Sequence, residues 1–116
     1  MQIYVATPVN GRAGKDISEK RVAAKRRIDE MIRRMQEVYP DDTKYVSSFD
    51  VCPLGSPLKS EAEIMGGCVT LVMQSDMVVY DGGWSQSKGC KVEMHVAETY
   101  GIRCHGFLEP SVYESE

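Results

Sequence analysis

The sequence contains no apolar run of membrane-spanning length, no signal peptide, no internal repeat and no low-complexity tract. Its 116 residues carry 14 basic and 17 acidic side chains, and the formal net charge of −3 gives no whole-domain attraction to nucleic acid. Basic residues concentrate in the first helical segment, but Asp29, Glu30 and Glu37 interleave with them, which favours a solvated helix face over a nucleic-acid stripe. We therefore expect a cytoplasmic protein that binds neither a membrane nor nucleic acid.

Closely spaced metal ligands are also lacking. The chain has four cysteines and two histidines, yet no Cys-x-x-Cys pair occurs. Reduced thiols in a cytosol are the simplest interpretation, and a zinc site built from scattered cysteines with His95 and His105 is the weaker alternative. We expect no metal and no cofactor.

Short apolar runs alternate with segments of helical periodicity along the chain. The predicted strands cover residues 2–6, 44–49, 77–80 and 102–108, and the predicted helices cover residues 17–39, 60–74 and a segment beginning after Ser87. This alternation predicts a three-layer α/β sandwich of the flavodoxin or Rossmann type, with a parallel sheet of four to five strands in the order 2-1-3-4. One domain is expected over residues 1–108, followed by an acidic tail over residues 109–116.

The last predicted helix has apolar residues at four-residue spacing, Val92, Val96 and Tyr100, which are expected to face the sheet. Glu93 lies beside this stripe, and none of its helical neighbours can pair with a carboxylate. A solvated glutamate is the ordinary interpretation of such a residue. An unpaired acid near a loop mouth is the alternative, and it would be a candidate reagent.

Two loops follow predicted central strands, at the edge where parallel α/β sheets collect ligands. Residues 81–89 join the third strand to the last helix, whose first N–H groups favour an anion. Residues 9–15 follow the first strand and contain two glycines, an arginine and a lysine. They are suited to an anion, although turn formation alone would also explain them.

Three stretches of the chain carry a family resemblance. The segments IYVATP, SDMVVYDGGW and SKGCKVEMHVAETYGI resemble the nucleoside 2-deoxyribosyltransferase superfamily, which includes the deoxynucleoside 5′-monophosphate N-glycosidases. The resemblance implies an N-glycosidase or deoxyribosyltransferase that acts on a nucleoside or a nucleoside 5′-monophosphate. A catalytically impaired nucleotide-binding protein of the same fold, acting as a sensor or sequestering protein, is the alternative.

The resemblance also implies roles for individual residues. Glu93 would be the nucleophile, Tyr4 would orient the nucleophile or the sugar, and Asp81 would assist at the base or a sugar hydroxyl. Ser87 stands where the relatives acting on monophosphates have serine, which favours a 5′-phosphorylated ligand. Trp84 would stack on or shield the base, unless it only packs under its loop. The implied substrate-binding residues are Thr7, Asn10, Gly11, Arg12, Trp84, Ser87 and Gly89.

One position departs from the family pattern. Relatives commonly carry an aspartate that exchanges a proton with the base, and here that position holds Cys68. A general acid contributes about 10²- to 10⁴-fold to rate, so this loss motivates the binding-protein alternative. Asp81 is the nearest replacement, and a local shift of the alignment would instead bring Asp76 or Glu63 into consideration.

A sheet protein of this length has few residues with which to cover a ligand, whereas small-molecule pockets bury most of theirs. Relatives solve this by pairing, so we expect a homodimer or higher homo-oligomer. The contact would involve the helix over residues 60–74 and the helix after Ser87. Apolar residues off the predicted core stripes are available for this surface, namely Met65, Val69, Met73 and Met94.

Overall fold

The structure is a computed structural model that describes residues 1–9 and 16–107. Its strands are β1 Gln2–Ala6, β2 Lys44–Val46, β3 Met77–Tyr80 and β4 Arg103–Gly106. The longer helices are α1 Ile17–Met35, α3 Glu61–Met73 and α4 Lys88–Thr99, and the shorter ones are α2 Ser48–Val51 and a 3₁₀ turn at Trp84–Gln86. The four strands form one parallel sheet in the order β2-β1-β3-β4, which confirms the predicted order.

Side chains of the central strands alternate between two buried cores. Ile3 and Val5 join Val79 in a core against α1, while Tyr4 and Ala6 join Val78 in a core against α3 and α4. Because successive strand residues point to opposite faces, this alternation places a helical layer on each side of the sheet. The predicted three-layer arrangement is confirmed.

Helix α1 begins where the sequence predicts and ends earlier. Asp16 caps it by accepting a hydrogen bond from the Glu19 N–H at 2.9 Å. The helix ends at Met35 rather than at residue 39, because the next residues tighten into three-residue turns, with the Val38 N–H donating to the Met35 carbonyl at 3.0 Å. Its core face consists of Ala24, Ile28, Met31 and Met35.

Strand β2 is shorter than the predicted strand over residues 44–49. Helix α2 starts at a capping box formed by Ser47 and Asp50. The Ser47 side chain accepts from the backbone of the first helical turn, and the Asp50 carboxylate accepts from the Ser47 N–H. Phe49 is buried as a helical residue. The capping box therefore ends the strand and makes residues 48–51 helical.

Helix α3 starts at a capping box formed by Ser60 and Glu63, and it buries Cys68 and Val72. Gly67 fits against α2 so closely that an added Cβ would lie 2.5 Å from Cγ1 of Val51. This glycine is therefore a packing position, at which a larger side chain would push α2 away.

The face of α4 that meets the sheet differs from the prediction. The predicted stripe is wrong at Val92, which is 42% exposed, and at Tyr100, which is 64% exposed, while Val96 is half-buried and packs against the core. Cys90, Met94 and Ala97 are buried instead, together with Glu93. The helix is rotated by about one residue relative to the expected orientation, a turn of about 100°. Met94, 5% exposed, is thus a core residue, and its assignment to a subunit contact is also wrong.

Strand β4 ends at Gly106, two residues before the predicted end, and the predicted tail over residues 109–116 lies outside the described residues. Gly101, with φ of 70°, provides the left-handed backbone that ends the preceding helix. Among the described helices, none combines the length and the apolar content needed to cross a membrane.

Candidate functional site

The carboxyl ends of β1 and β3 lie side by side at one edge of the sheet. Ala6 pairs with Tyr80, and the N–H of Asp81 donates to the Ala6 carbonyl at 2.9 Å. The residues that follow the two central strands therefore start from adjacent positions, as the predicted order requires.

Three titratable side chains meet below this edge on the α3/α4 side of the sheet. Tyr4 comes from β1, Cys68 from α3 and Glu93 from α4, and all three are buried. The Tyr4 hydroxyl is close enough to the Cys68 thiol and the Glu93 carboxyl group to shift the pKa of both groups. We call these residues the Tyr4–Cys68–Glu93 cluster.

Glu93 is 6% exposed and its Oε2 atom has no hydrogen-bond partner among the described residues. Burial raises the pKa of its carboxyl group to about 7, and the hydrogen bond from Tyr4 opposes that rise without cancelling it. The described part of the structure gives it no cationic partner. A carboxyl group of this kind exchanges its proton near neutral pH, as catalytic acids and nucleophiles require.

The other two members of the cluster are protonated at neutral pH. Burial raises the pKa of the Cys68 thiol to about 11, with the hydrogen bond from Tyr4 lowering it and the charge of Glu93 raising it. Burial, followed by the nearby Glu93 charge, raises the pKa of Tyr4 well above its ordinary value. Tyr4 is therefore a hydrogen-bond donor to the carboxylate, and Cys68 is an unreactive thiol in this state.

The first turn of α4 leads from the sheet edge to Glu93. Ser87 caps the helix, its Oγ accepting from the Cys90 N–H at 3.3 Å, and its hydroxyl hydrogen can still be donated to a ligand. Gly89 follows, where an added Cβ would lie 4.0 Å from the Met65 sulfur. Glu93 is four residues further along the same helix face, and helical side chains lean toward the helix N-terminus. This spacing places Glu93 one helical turn beyond Gly89 on the same side of α4.

A cavity of about 290 Å³ opens at this edge, between α1, α2, the segment over residues 52–59 and α3. Its apolar wall includes Phe49, Leu58, Ile64 and Met65, and its polar residues include Ser48, Arg21, Lys59 and Glu61. Gly89 also lines it, whereas Tyr4 and Glu93 do not. The cavity and the Tyr4–Cys68–Glu93 cluster are therefore neighbours that share the first turn of α4.

Asp81 and Thr7, both predicted site residues, lie on the α1 side of the sheet. Both Asp81 carboxylate oxygens accept from the Arg27 guanidinium of α1 at 3.0 Å. The Thr7 hydroxyl donates to the Met31 sulfur at 3.4 Å. The structure does not bring these residues together with Glu93, and their predicted roles at the substrate stay predictions.

Trp84 packs beside the α3/α4 core, edge-on to the Tyr80 ring with 5.4 Å between ring centroids. It is half-buried, so both interpretations of this residue, as a shield for a base and as loop packing, stay predictions. Asn10, Gly11 and Arg12 lie outside the described residues.

Sequence reasoning missed Arg21 as a site residue. Its guanidinium lies over the Phe49 ring, with 5.2 Å between Cζ and the ring centroid, and Nη2 donates to the Cys52 carbonyl. Its position in the apolar stripe of α1 could have identified it from the sequence, because a charged residue at such a position needs a specific partner. Within the described ranges, no cluster of three His, Cys, Asp or Glu side chains could hold a metal ion.

The fold and the cluster define a parallel α/β protein with a buried carboxyl group behind the carboxyl edge of its sheet. A family model described as "Domain of unknown function (DUF4406)" matches residues 1–105, and the chain belongs to this family. The match includes β1, β2, β3, all of β4 except Gly106, and the Tyr4–Cys68–Glu93 cluster. No curated protein and no solved structure matches the chain.

Proposed function

We propose that this protein is an N-glycosidase or deoxyribosyltransferase that acts on a nucleoside or nucleoside 5′-monophosphate through Glu93. The observation that carries this proposal is the buried Glu93 carboxyl group, whose pKa is about 7 and whose Oε2 has no partner among the described residues. The resemblance to the nucleoside 2-deoxyribosyltransferase superfamily supports the same assignment. Structural carboxylates are ordinarily paired or solvated, so an unpaired buried one is a candidate for chemistry.

In the proposed first step, a Glu93 carboxylate oxygen attacks C1′ of the sugar. The bond from C1′ to the base nitrogen breaks with its electron pair moving to the base, while an ester bond forms between C1′ and Glu93. Tyr4 donates a hydrogen bond to the carboxylate and orients it. In the second step water, or the nitrogen of a second base, attacks C1′, and the ester bond breaks with its electron pair returning to the Glu93 carboxylate. The attacking group loses one proton to solvent, and the base expelled in the first step takes up one proton from solvent.

The phosphate of a monophosphate substrate would lie at the start of α4. The Ser87 hydroxyl hydrogen and the N–H groups of the first helical turn are donors there, and the helix dipole favours an anion at this end. Gly89 has no side chain to cover these donors, and its Cβ position borders the Ser87 hydroxyl and the Met65 sulfur. A phosphate held there would place the attached sugar over the carboxyl group.

Cys68 supports a second candidate function. A thiol with a pKa of about 11 is a far weaker acid than a carboxyl group, and Cys68 occupies the position where relatives carry the aspartate that serves the base. A protein that keeps the nucleotide site without rapid turnover would act as a sensor or a sequestering protein. This alternative uses the same ligand and the same site residues.

We also propose that the chain works as a homodimer. The contact surface differs from the predicted one, because Met94 is buried while Val92 and Tyr100 of α4 and Met73 of α3 are exposed. Helices α3 and α4 pack side by side, so these exposed apolar residues are carried by one helical layer. Burial of such a surface against a second copy would stabilise the pair.

Incubation with each of the common deoxynucleoside monophosphates, followed by chromatography for free base, tests the enzyme proposal. We expect base release by the native protein and none by Glu93→Gln. Glu98→Gln, an exposed glutamate of the same helix, is the matched control and is expected to retain activity. Absence of release from every substrate, at high enzyme concentration and long times, would refute catalysis.

Calorimetry with the same nucleotides then separates the two candidate functions. Tight binding by the native protein and by Glu93→Ala, without any product, would support the sensor or sequestering function. Absence of both binding and thermal stabilisation by nucleotides would contradict both candidates.

A further inference from the structure

We propose that Arg21 is a specificity-determining residue that reads the base of the nucleotide in the 290 Å³ cavity. The base it selects presents two adjacent hydrogen-bond acceptors, as guanine does with N7 and O6 and as adenine does not. This inference rests on the proposed nucleotide ligand but not on turnover.

The cavity has the volume and the lining of a pocket for a small, largely apolar group. Its volume is close to the lower end of the range of roughly 300–1,000 Å³ that small-molecule pockets occupy. Leu58, Ile64 and Met65 give it apolar walls, and Gly89 connects it to the start of α4. A nucleotide with its phosphate at Ser87 and its sugar near Glu93 would have this cavity within reach of its base.

Arg21 is fixed in this cavity by two contacts. Its guanidinium plane is near the Phe49 ring, and one of its five N–H groups donates to the Cys52 carbonyl. Nε, Nη1 and the second N–H of Nη2 have no hydrogen-bond partner among the described residues. The second Nη2 N–H, together with Nε or with Nη1, forms a two-bond fork for a ligand, and its orientation is set before the ligand binds.

Such a fork distinguishes base edges by their donor and acceptor pattern. Guanine presents N7 and O6 as adjacent acceptors, which an arginine fork binds with two hydrogen bonds. Adenine presents N7 beside an amino donor, so one arm of the fork would face a donor and stay unsatisfied. Lys59 and Ser48 add further donors to the lining, and Glu61 is the single carboxylate among the lining residues that the structure describes.

A phosphate is the competing occupant, since guanidinium groups also bind phosphate. The apolar walls favour the base, because a dianion would lose hydration against Leu58, Ile64 and Met65. The two hypotheses, a base or a phosphate in this cavity, predict different effects of an Arg21 substitution on the binding of a sugar phosphate that lacks a base.

The test is calorimetry on Glu93→Gln, which binds without turning over its ligand. The probes are deoxyguanosine monophosphate, deoxyinosine monophosphate, deoxyadenosine monophosphate and the base-free deoxyribose 5-phosphate. We expect the guanine and hypoxanthine nucleotides, which share N7 and O6, to bind about tenfold or more tightly than the adenine nucleotide. Equal affinities for guanine and adenine nucleotides would overturn the proposal.

Substitutions of Arg21, added to Glu93→Gln, test whether Arg21 causes the preference for guanine over adenine. Arg21→Gln is expected to lose the preference for guanine and gain affinity for adenine, because a glutamine amide pairs with the N7 and amino group of adenine. Arg26→Gln, an exposed arginine of the same helix, is the control and is expected to change nothing. An equal loss of affinity for deoxyribose 5-phosphate and for the nucleotides would show that Arg21 binds phosphate instead.

Arg21→Lys covers the case in which Arg21→Gln does not fold. It retains the positive charge but not the fork, so it is expected to lose the discrimination while keeping its affinity for deoxyribose 5-phosphate. Selective binding without base release by the native protein would support this inference and refute the enzyme proposal. Base release without selectivity would support the enzyme proposal and refute this inference. No binding of any nucleotide would overturn both the enzyme proposal and this inference.

Discussion

Glu93 destabilises the fold when it is ionised. Its pKa is raised by burial, so the folded state binds the proton more tightly than the unfolded state does. The associated stability is fully present below the unfolded pKa of about 4.5 and is lost as pH rises through about 7. The difference in pKa corresponds to about 3 kcal/mol. A residue retained at this cost is better explained by function than by stability.

Glu93→Gln is therefore expected to be more stable than the native protein at alkaline pH. The difference in free energy of unfolding should grow by about 3 kcal/mol between about pH 4 and about pH 9, because the glutamine cannot ionise. Urea unfolding at several pH values measures it, with Glu98→Gln as the exposed control on the same helix. A difference that is constant with pH would contradict the raised pKa.

Tyr4→Phe is expected to raise the pKa of Glu93 further, because the Tyr4 hydrogen bond is the contribution that lowers it. The pH at which base release reaches half its maximum should move to a more alkaline value. Tyr45→Phe removes a buried hydroxyl from β2, which is not part of the cluster, and should leave that midpoint unchanged. If both variants leave the midpoint where it is, Tyr4 does not act on Glu93.

At the scale of elements, α4 carries both the candidate nucleophile and the candidate phosphate donors. Its start is fixed by Ser87, in the same way that Ser60 fixes the start of α3. The two caps are similar in local structure, and we propose a ligand role only for Ser87. This pair allows the effect of a cap on stability to be separated from its effect on binding.

Ser87→Ala and Ser60→Ala are each expected to lower the free energy of unfolding by about 1 kcal/mol, the usual loss for a helix cap. Only Ser87→Ala should also weaken the binding of a nucleoside monophosphate relative to the nucleoside. Chemical unfolding and calorimetry measure the two effects. Equal nucleotide affinities in the two variants would exclude Ser87 from the phosphate site.

The order of elements could be predicted from the sequence, because strand and helix periodicities alternate and parallel crossovers restrict the topology. The rotation of α4 could not. Its periodicity offered the stripe of Val92, Val96 and Tyr100, whereas the structure buries Glu93 against Tyr4 at the cost of exposing Tyr100. A charged residue on the core face runs against local pattern rules, and functional sites are where such conflicts are expected.

Only part of the site could be predicted from the sequence. Glu93 and Tyr4 were found through a family resemblance, while their contact depends on a packing that no local pattern contains. Arg21 makes its contacts with Phe49 and Cys52, which are distant in sequence, so its role could be seen only in the fold. The separation of Asp81 from Glu93 follows from strand parity, because Asp81 is two residues after Val79 and faces α1 with it.

At the scale of the whole molecule, the exposed apolar residues of α3 and α4 predict self-association. Sedimentation should show a species near twice 13.0 kDa for the native protein. Tyr100→Asp is expected to give a monomer, because it places a charge in the proposed contact, and to weaken nucleotide binding. Met94→Asp should instead destabilise the fold, since Met94 is a core residue. A native monomer that binds nucleotide with full affinity would overturn the dimer proposal.

The most direct test of the central claim is to trap the sugar on Glu93. Rapid acid quenching of the native protein during turnover of a deoxynucleoside monophosphate, followed by mass spectrometry of its peptides, would detect the ester. We predict a deoxyribose phosphate adduct on the peptide containing Glu93, and no adduct in Glu93→Gln. Base release that proceeds with no adduct at any quench time, or with an adduct on a different residue, would contradict the claim that Glu93 is the nucleophile.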